Sequence, residues 1–186
     1  MEEYRKTHVS PKRAKLGHQI NHMRLSDDDV NRNALALAGL RIAIGCLFLI
    51  FAQYKVFGTQ FTLHGGFQFW INRFLQDRGA YPFMVPVLKG FVLTHATAIA
   101  FLAAYGELAI GIALVTGIWV RVASTFGLIY MLALLFSSNY PGTHAPLWQY
   151  FGASLDHFVL ALCFLTFLYV RADEVLSLGK RSLKGR

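Results

Sequence analysis

Four apolar runs dominate the sequence, and each approaches the roughly 20 residues that a helix needs to cross a bilayer. They cover about 34–57, 96–119, 122–138 and 154–170. The chain is 55% hydrophobic and 15% charged, which lies outside the usual range of soluble globular domains. Bilayer thinning and snorkelling of flanking residues tolerate the two shorter runs. The sequence therefore predicts an all-α membrane protein with a four-transmembrane-helix bundle.

The Lys and Arg residues outside these runs are distributed unevenly, and this distribution predicts the orientation. Thirteen lie in the polar arm 1–33, the tail 171–186 and the joint between the second and third runs, whereas three lie on the opposite side. Both termini are expected to be cytoplasmic, in the cytoplasmic (inner) membrane of a prokaryote. The basic residues would attract anionic lipids. Nucleic acid is not expected as a partner, because acidic residues are interleaved with the bases of the arm.

The segment between the first two runs predicts an extracytoplasmic cap. At about 65–77, the stretch GGFQFWINRFLQD places its aromatic and aliphatic side chains on one face of a helix, and such helices tend to lie in the membrane interface. Pro82 and Pro86 follow, and they favour a bent or re-entrant connection before the second span. The cap is thus predicted to be partly amphipathic helix and partly re-entrant chain.

Charged residues inside the spans are costly and usually face a partner within the bundle. Arg41 and Lys55 share a stripe of the first span with small residues, and Glu107 lies on a similar stripe of the second. Small residues allow two membrane helices to approach closely, so the two stripes are expected to face each other. Estimated depths along the runs favour an Arg41–Glu107 pair over a Lys55–Glu107 pair. Our interpretation is a structural ion pair that fixes helix register.

The extracytoplasmic ends of the spans carry a second group of polar residues. Lys55, Tyr54, His95 and His157 are predicted to converge there and to bind a quinone head group; an anion is the alternative ligand. Asp156 and His157 are the candidates for catalytic proton exchange. The alternative is architectural, with Asp156 capping the fourth span and the histidines solvated. No metal is expected, because the histidines lack ligand spacing.

Two longer stretches resemble the DoxX family of membrane proteins. These are LRIAIGCLFLIFAQYKVFG, residues 40–58, and YGELAIGIALVTGIWVRVAS, residues 105–124, and the GGFQFW segment resembles the DoxD variety. The residues that carry the resemblance are Arg41, Lys55, Glu107, Gly117 and Arg121. It implies a four-helix bundle and, for DoxD-like members, a small membrane subunit of thiosulfate:quinone oxidoreductase. Other relatives associate with different redox partners.

The sequence and this resemblance together predict a membrane subunit associated with a larger respiratory or other electron-transfer complex, contributing to quinone interaction. One alternative is the catalytic small subunit of a thiosulfate:quinone oxidoreductase, and another is a purely structural accessory subunit with no redox role. The sequence does not decide whether the chain is itself an enzyme. It shows no evident cofactor-binding motif, and quinone is the one cofactor expected. Other membrane-protein subunits and lipids are the expected partners.

Overall fold

The computed structural model describes residues 27–77, 79–151, 156–170, 172 and 176–178, and all regular structure in these residues is helical. The α-helices are α1 Asp27–Phe57, α2 Thr59–Thr62, α3 Gly66–Gln76, α4 Val85–Val87, α5 Ala96–Thr116, α6 Val120–Ser138 and α7 Asp156–Tyr169. A π-helix, Leu88–Val92, continues α4, and a 3₁₀ helix, Leu147–Phe151, precedes α7.

Three of these helices, α1, α5 and α6, are long and apolar enough to cross a membrane. The fourth apolar run forms α7, which has 14 residues and is therefore about 21 Å long. This length does not confirm a fourth crossing, and the predicted re-entrant cap is likewise not confirmed. The first helix begins at Asp27, seven residues before its apolar run, since acidic residues suit the positive end of the helix dipole. Ser26, its expected cap, lies outside the described residues.

Two glycines bring α1 and α5 into close antiparallel contact. A Cβ atom built on Gly45 would lie 2.9 Å from Leu114 Cβ, and one built on Gly111 would lie 3.1 Å from Gly45 O. Side chains at these positions would collide with the facing helix, so the two backbones approach more closely than larger residues would allow. This contact fixes which residues of α1 and α5 share a level, and therefore which charges can meet.

The other long helices, α6 and α7, complete the core. Phe164 of α7 is fully buried and meets the ring of Phe48 edge to face, with ring centroids 5.4 Å apart. A Cβ at Gly127 of α6 would overlap the Phe164 ring, so this glycine makes room for the aromatic side chain. At the start of α7, His157 Nδ1 lies 3.1 Å from Oδ1 of Asn139, which follows α6. The two helices therefore run antiparallel, side by side.

The end of the bundle that carries Tyr81, Tyr140 and Tyr150 is called the tyrosine end below. Two connections meet here, one between α3 and α4 and one after α6, and hydrogen bonds join them. The Tyr81 hydroxyl donates to Tyr150 O at 2.8 Å, and the Tyr140 amide donates to Gly79 O at 2.7 Å. Burial, followed by the charges of its two tyrosine neighbours, raises the pKa of Tyr81. The connections therefore form one bonded layer rather than separate loops.

The helix α3 occupies the stretch for which the sequence predicts an amphipathic helix. Phe67 and Ile71 of this helix are buried against Ala96 and Ala100 of α5, whereas Trp70 is exposed. After α3, the short α4 and the π-helix around Pro86 give the chain a bent path into α5. The location of α3 in the membrane interface stays a prediction.

Candidate functional site

A buried polar network joins the three longest helices. The Lys55 ammonium of α1 donates to Oε1 of Glu107 in α5, and the Tyr130 hydroxyl of α6 donates to the same oxygen. The side chains of Lys55 and Glu107 are 20% and 6% exposed, respectively. An ammonium and a phenol thus donate to one carboxylate oxygen inside an otherwise apolar bundle.

Each helix positions its member of the network for a local reason. Lys55 lies in the last turn of α1, where the helix dipole favours a positive charge. Its Nζ atom also lies 5.1 Å from the centroid of the Phe61 ring, which follows in α2, and an aromatic face attracts a cation. Glu107 shares the buried face of α5 with Ala104 and Gly111. Because these neighbours are small, α1 and α6 can come close enough to bond its carboxylate.

The two oxygens of the Glu107 carboxylate differ in their partners. Oε1 accepts both hydrogen bonds, whereas Oε2 is buried and accepts none from the described residues. A carboxylate can accept at either oxygen, and a buried acceptor without a donor costs free energy. The network therefore leaves one buried acceptor, Oε2, without a donor among the described residues.

Arg41 does not take part in this network, which corrects the predicted Arg41–Glu107 ion pair. The Arg41 side chain is fully buried, and its Nη1 and Nη2 donate to Ala172 O and Leu176 O, each at 2.8 Å. Close by, the Ser177 hydroxyl donates to Gly117 O at 2.9 Å. This end of the bundle, at Arg41, Gly117 and Ala172, is called the arginine end below.

The register of α1 against α5 explains why the predicted pairing was wrong. The depth estimate aligned the ends of the two apolar runs, but the Gly45–Gly111 contact offsets them by about two helical turns. With this offset Arg41 lies level with Gly117, at the end of α5, and Lys55 lies within reach of Glu107. Close packing of small residues sets the register, and the register decides which charged residues can pair.

The part of the sequence that contains this site matches a known family. A family model described as DoxX matches residues 36–139, which is more than half of the chain. The chain belongs to the DoxX family of membrane proteins. Searches of curated proteins and of solved structures give no match. The part of this DoxX protein that matches the family contains Lys55, Glu107 and Tyr130, and it ends before α7.

The predicted quinone and proton-exchange residues are spread over several neighbourhoods in this DoxX protein. Lys55 bonds Glu107, whereas Tyr54 is 67% exposed. His95 is exposed, with Nδ1 3.0 Å from Phe91 O. His157 lies beside Asn139, and its amide donates to Asp156 Oδ1 at 2.8 Å. Within the described ranges, no hydrogen bond or ion pair joins the Lys55 network to Asp156 or His157.

Tyr130 is the member of the site that sequence reasoning missed. It is the only tyrosine in the third apolar run, and its position in the middle of that run was the available signal, because interfacial tyrosines prefer the ends of a span. Across the described residues, no group of three or more His, Cys, Asp or Glu side chains could hold a metal ion. The chemistry that the network offers is hydrogen bonding and proton exchange by an amine, a phenol and a carboxylate.

Proposed function

We propose that this DoxX protein is a membrane subunit of a larger electron-transfer complex, and that it contributes to quinone interaction through Lys55. One observation carries this proposal. The Lys55 ammonium is fixed by Glu107 on one side and by the Phe61 ring on another, yet a fifth of its side chain stays exposed. It lies within an apolar bundle, in the phase where quinones dissolve.

The donor chemistry of Lys55 suits a quinone carbonyl. An ammonium has three N–H donors, and Glu107 takes one of them. A quinone oxygen can accept another, and Tyr54, the exposed neighbour in the sequence, can flank the ring. Of the residues first grouped as the quinone site, Lys55 and Tyr54 stay in this proposal. His95 and His157 do not, because they bond elsewhere.

The proposed topology has four crossings in the cytoplasmic membrane, with both termini in the cytoplasm. Two contacts support a crossing by α7: His157 at its start bonds Asn139 after α6, and Ala172 beyond its end accepts a bond from Arg41. The helix α7 and the residues up to Ala172 thus together connect the level at which α6 ends with the level of Arg41. The excess of Lys and Arg in the sequence segments 1–33 and 171–186 supports the orientation.

A titration with a soluble short-chain quinone tests the quinone role. Purified protein in mild detergent should show saturable binding, and Lys55→Met should weaken the affinity about tenfold or more, because roughly one charge-assisted hydrogen bond is lost. Lys89→Met is the matched control, since Lys89 is an exposed lysine of the π-helix. Wild-type protein that binds no quinone, or equal affinities in all three proteins, would contradict the proposal.

A second experiment tests the assignment to a complex. The chain carries no evident cofactor motif, so electrons must come from a partner or from the substrate itself. Purification from native membranes in mild detergent should retain partner subunits, which mass spectrometry can identify, together with a cofactor visible in the absorption spectrum. A chain that purifies alone and colourless from fresh native membranes would contradict membership of such a complex.

A further inference from the structure

We propose that the Lys55–Glu107–Tyr130 network binds the reduced quinone, the quinol, more tightly than the quinone, through a hydrogen bond from a quinol hydroxyl to Glu107 Oε2. This inference rests on the proposed quinone role and specifies which redox state the site prefers. It starts from the unpartnered oxygen of Glu107, a residue that is 5% exposed.

The two donors of the network both bond one oxygen of the carboxylate. Lys55 and Tyr130 both donate to Oε1 of Glu107, which holds the carboxylate between α1 and α6. Oε2 keeps its lone pairs, and no described residue donates to them. The ligand that completes this network must therefore bring a hydrogen-bond donor, because a carboxylate paired with an ammonium can only accept.

Quinone and quinol differ in this respect. A quinone carbonyl oxygen only accepts hydrogen bonds, so it could use Lys55 but would place its lone pairs against those of Oε2. A quinol hydroxyl both donates and accepts. Its hydrogen can bond Oε2 while its oxygen accepts from the Lys55 ammonium. The quinol thus makes two favourable contacts where the quinone makes one favourable and one repulsive contact.

The network is least buried at Lys55, and a ligand is expected to approach it from there. The Lys55 side chain is 20% exposed, and α1 ends two residues later, at Phe57. The chain leaves the helix at Gly58, and the short α2 with Phe61 covers the ammonium. The cover over the ammonium is a short, separate helix and not a continuous span. Because Oε2 is buried, we expect the quinol ring to reach it by displacing α2 from Lys55.

Preferential binding of the quinol would change the redox behaviour of the bound quinone. The midpoint potential of a bound couple rises when its reduced form binds more tightly, by about 30 mV for each tenfold preference in a two-electron couple. A quinone at this site would thus be easier to reduce than a quinone in the membrane pool. Such a shift suits a subunit of a complex that delivers electrons to quinone.

Anaerobic titrations of the purified protein with decylubiquinone and with decylubiquinol test the inference. The quinol should bind at least tenfold more tightly. Equal affinities, or tighter binding of the quinone, would overturn this inference while leaving the proposed quinone role intact. If neither ligand shows saturable binding, the proposed quinone role and this inference both fail.

A substitution at the carboxylate tests the atom involved. Glu107→Gln replaces one oxygen by an amide NH₂, which can donate to a quinone carbonyl, so the preference for quinol should fall about tenfold, to near unity or below. Asp77→Asn is the matched control, since Asp77 is an exposed carboxylate after α3, and it should keep the wild-type ratio. An unchanged ratio in folded Glu107→Gln protein would overturn the assignment to Oε2. If that variant does not fold, the wild-type ratio decides alone.

Discussion

Arg41 and Lys55 are two cations on the same helix, and the bundle uses them differently. Arg41 is fully buried and donates to main-chain carbonyls of Ala172 and Leu176. Lys55 bonds the side chain of Glu107 and keeps a fifth of its own side chain exposed. Carbonyl acceptors in the main chain neither titrate nor rotate away, whereas a carboxylate can exchange a proton and a lysine with a partly exposed side chain can bind a ligand. The difference separates a structural anchor from a candidate binding site.

The largest effect is expected at the anchor. Arg41→Met removes donors from two carbonyls, so unfolding should become easier by about 4 kcal/mol. The measurement is thermal or SDS-induced unfolding in detergent. Arg121→Met, at an exposed arginine near the same end of the bundle, should change stability by about 0.5 kcal/mol or less. Equal losses in the two variants would contradict an anchoring role for Arg41.

The Lys55 network should respond differently, because both of its charges can be removed together. Lys55→Met alone leaves Glu107 buried without its cation and should cost about 3 kcal/mol. The double variant Lys55→Met with Glu107→Gln should regain most of that stability in the same unfolding assay but should not regain quinone binding. A double variant that is as unstable as the single one would show that Lys55 is as architectural as Arg41.

The close contact of α1 and α5 positions both cations, and a pair of glycines on α5 tests it. Gly111→Ala would place a methyl group against Leu49 and Gly45 and should destabilise the bundle by about 2 kcal/mol. Quinone affinity should fall with it, because the register that brings Lys55 to Glu107 changes. Gly106→Ala is the control, since a Cβ there meets nothing within 4 Å. Equal stability and affinity in the two variants would contradict the role of this contact.

The smallest effect is expected at the phenol. Tyr130→Phe removes one hydrogen bond to Glu107 Oε1 and should cost about 1 kcal/mol, read from unfolding midpoints. Tyr105→Phe, at an exposed tyrosine of α5, serves as the control and should leave the midpoint unchanged. A loss at Tyr130 as large as the loss at Arg41 would place Tyr130 among the anchors of the fold.

The sequence predicted the helices better than it predicted their contacts. Hydropathy alone predicted four spans, and three of them form helices long and apolar enough to cross a membrane, because lipid demands long apolar runs. The motifs around Arg41, Lys55 and Glu107 identified the family. The choice between Arg41 and Lys55 as partner of Glu107 depended on a shift of about two helical turns. Packing at Gly45 and Gly111 sets that shift, and hydropathy carries no information about it.

The remaining parts of the site were hidden from the sequence for related reasons. Tyr130 comes from a third helix whose rotation depends on the packing of Gly127 against Phe164, so its hydroxyl could not be assigned to Glu107 beforehand. His95 and His157 share an end of the bundle by sequence, but each finds a nearer acceptor in Phe91 O or Asn139. These local hydrogen bonds form in place of the predicted cluster because they do not require residues from distant parts of the chain to come together.

The offset between α1 and α5 also has a consequence for the surrounding lipid. The helix α1 begins 14 residues before Arg41 and stops at Phe57, whereas α5 continues towards the tyrosine end. Because the two apolar runs are offset, their ends lie at different levels and a flat bilayer would match only one of them, so we expect the membrane to thin or the bundle to tilt beside α1. The end of α1 is then the place where lipid headgroups come nearest to Lys55. A quinone with its polar ring at headgroup depth would thus have a short path to the network.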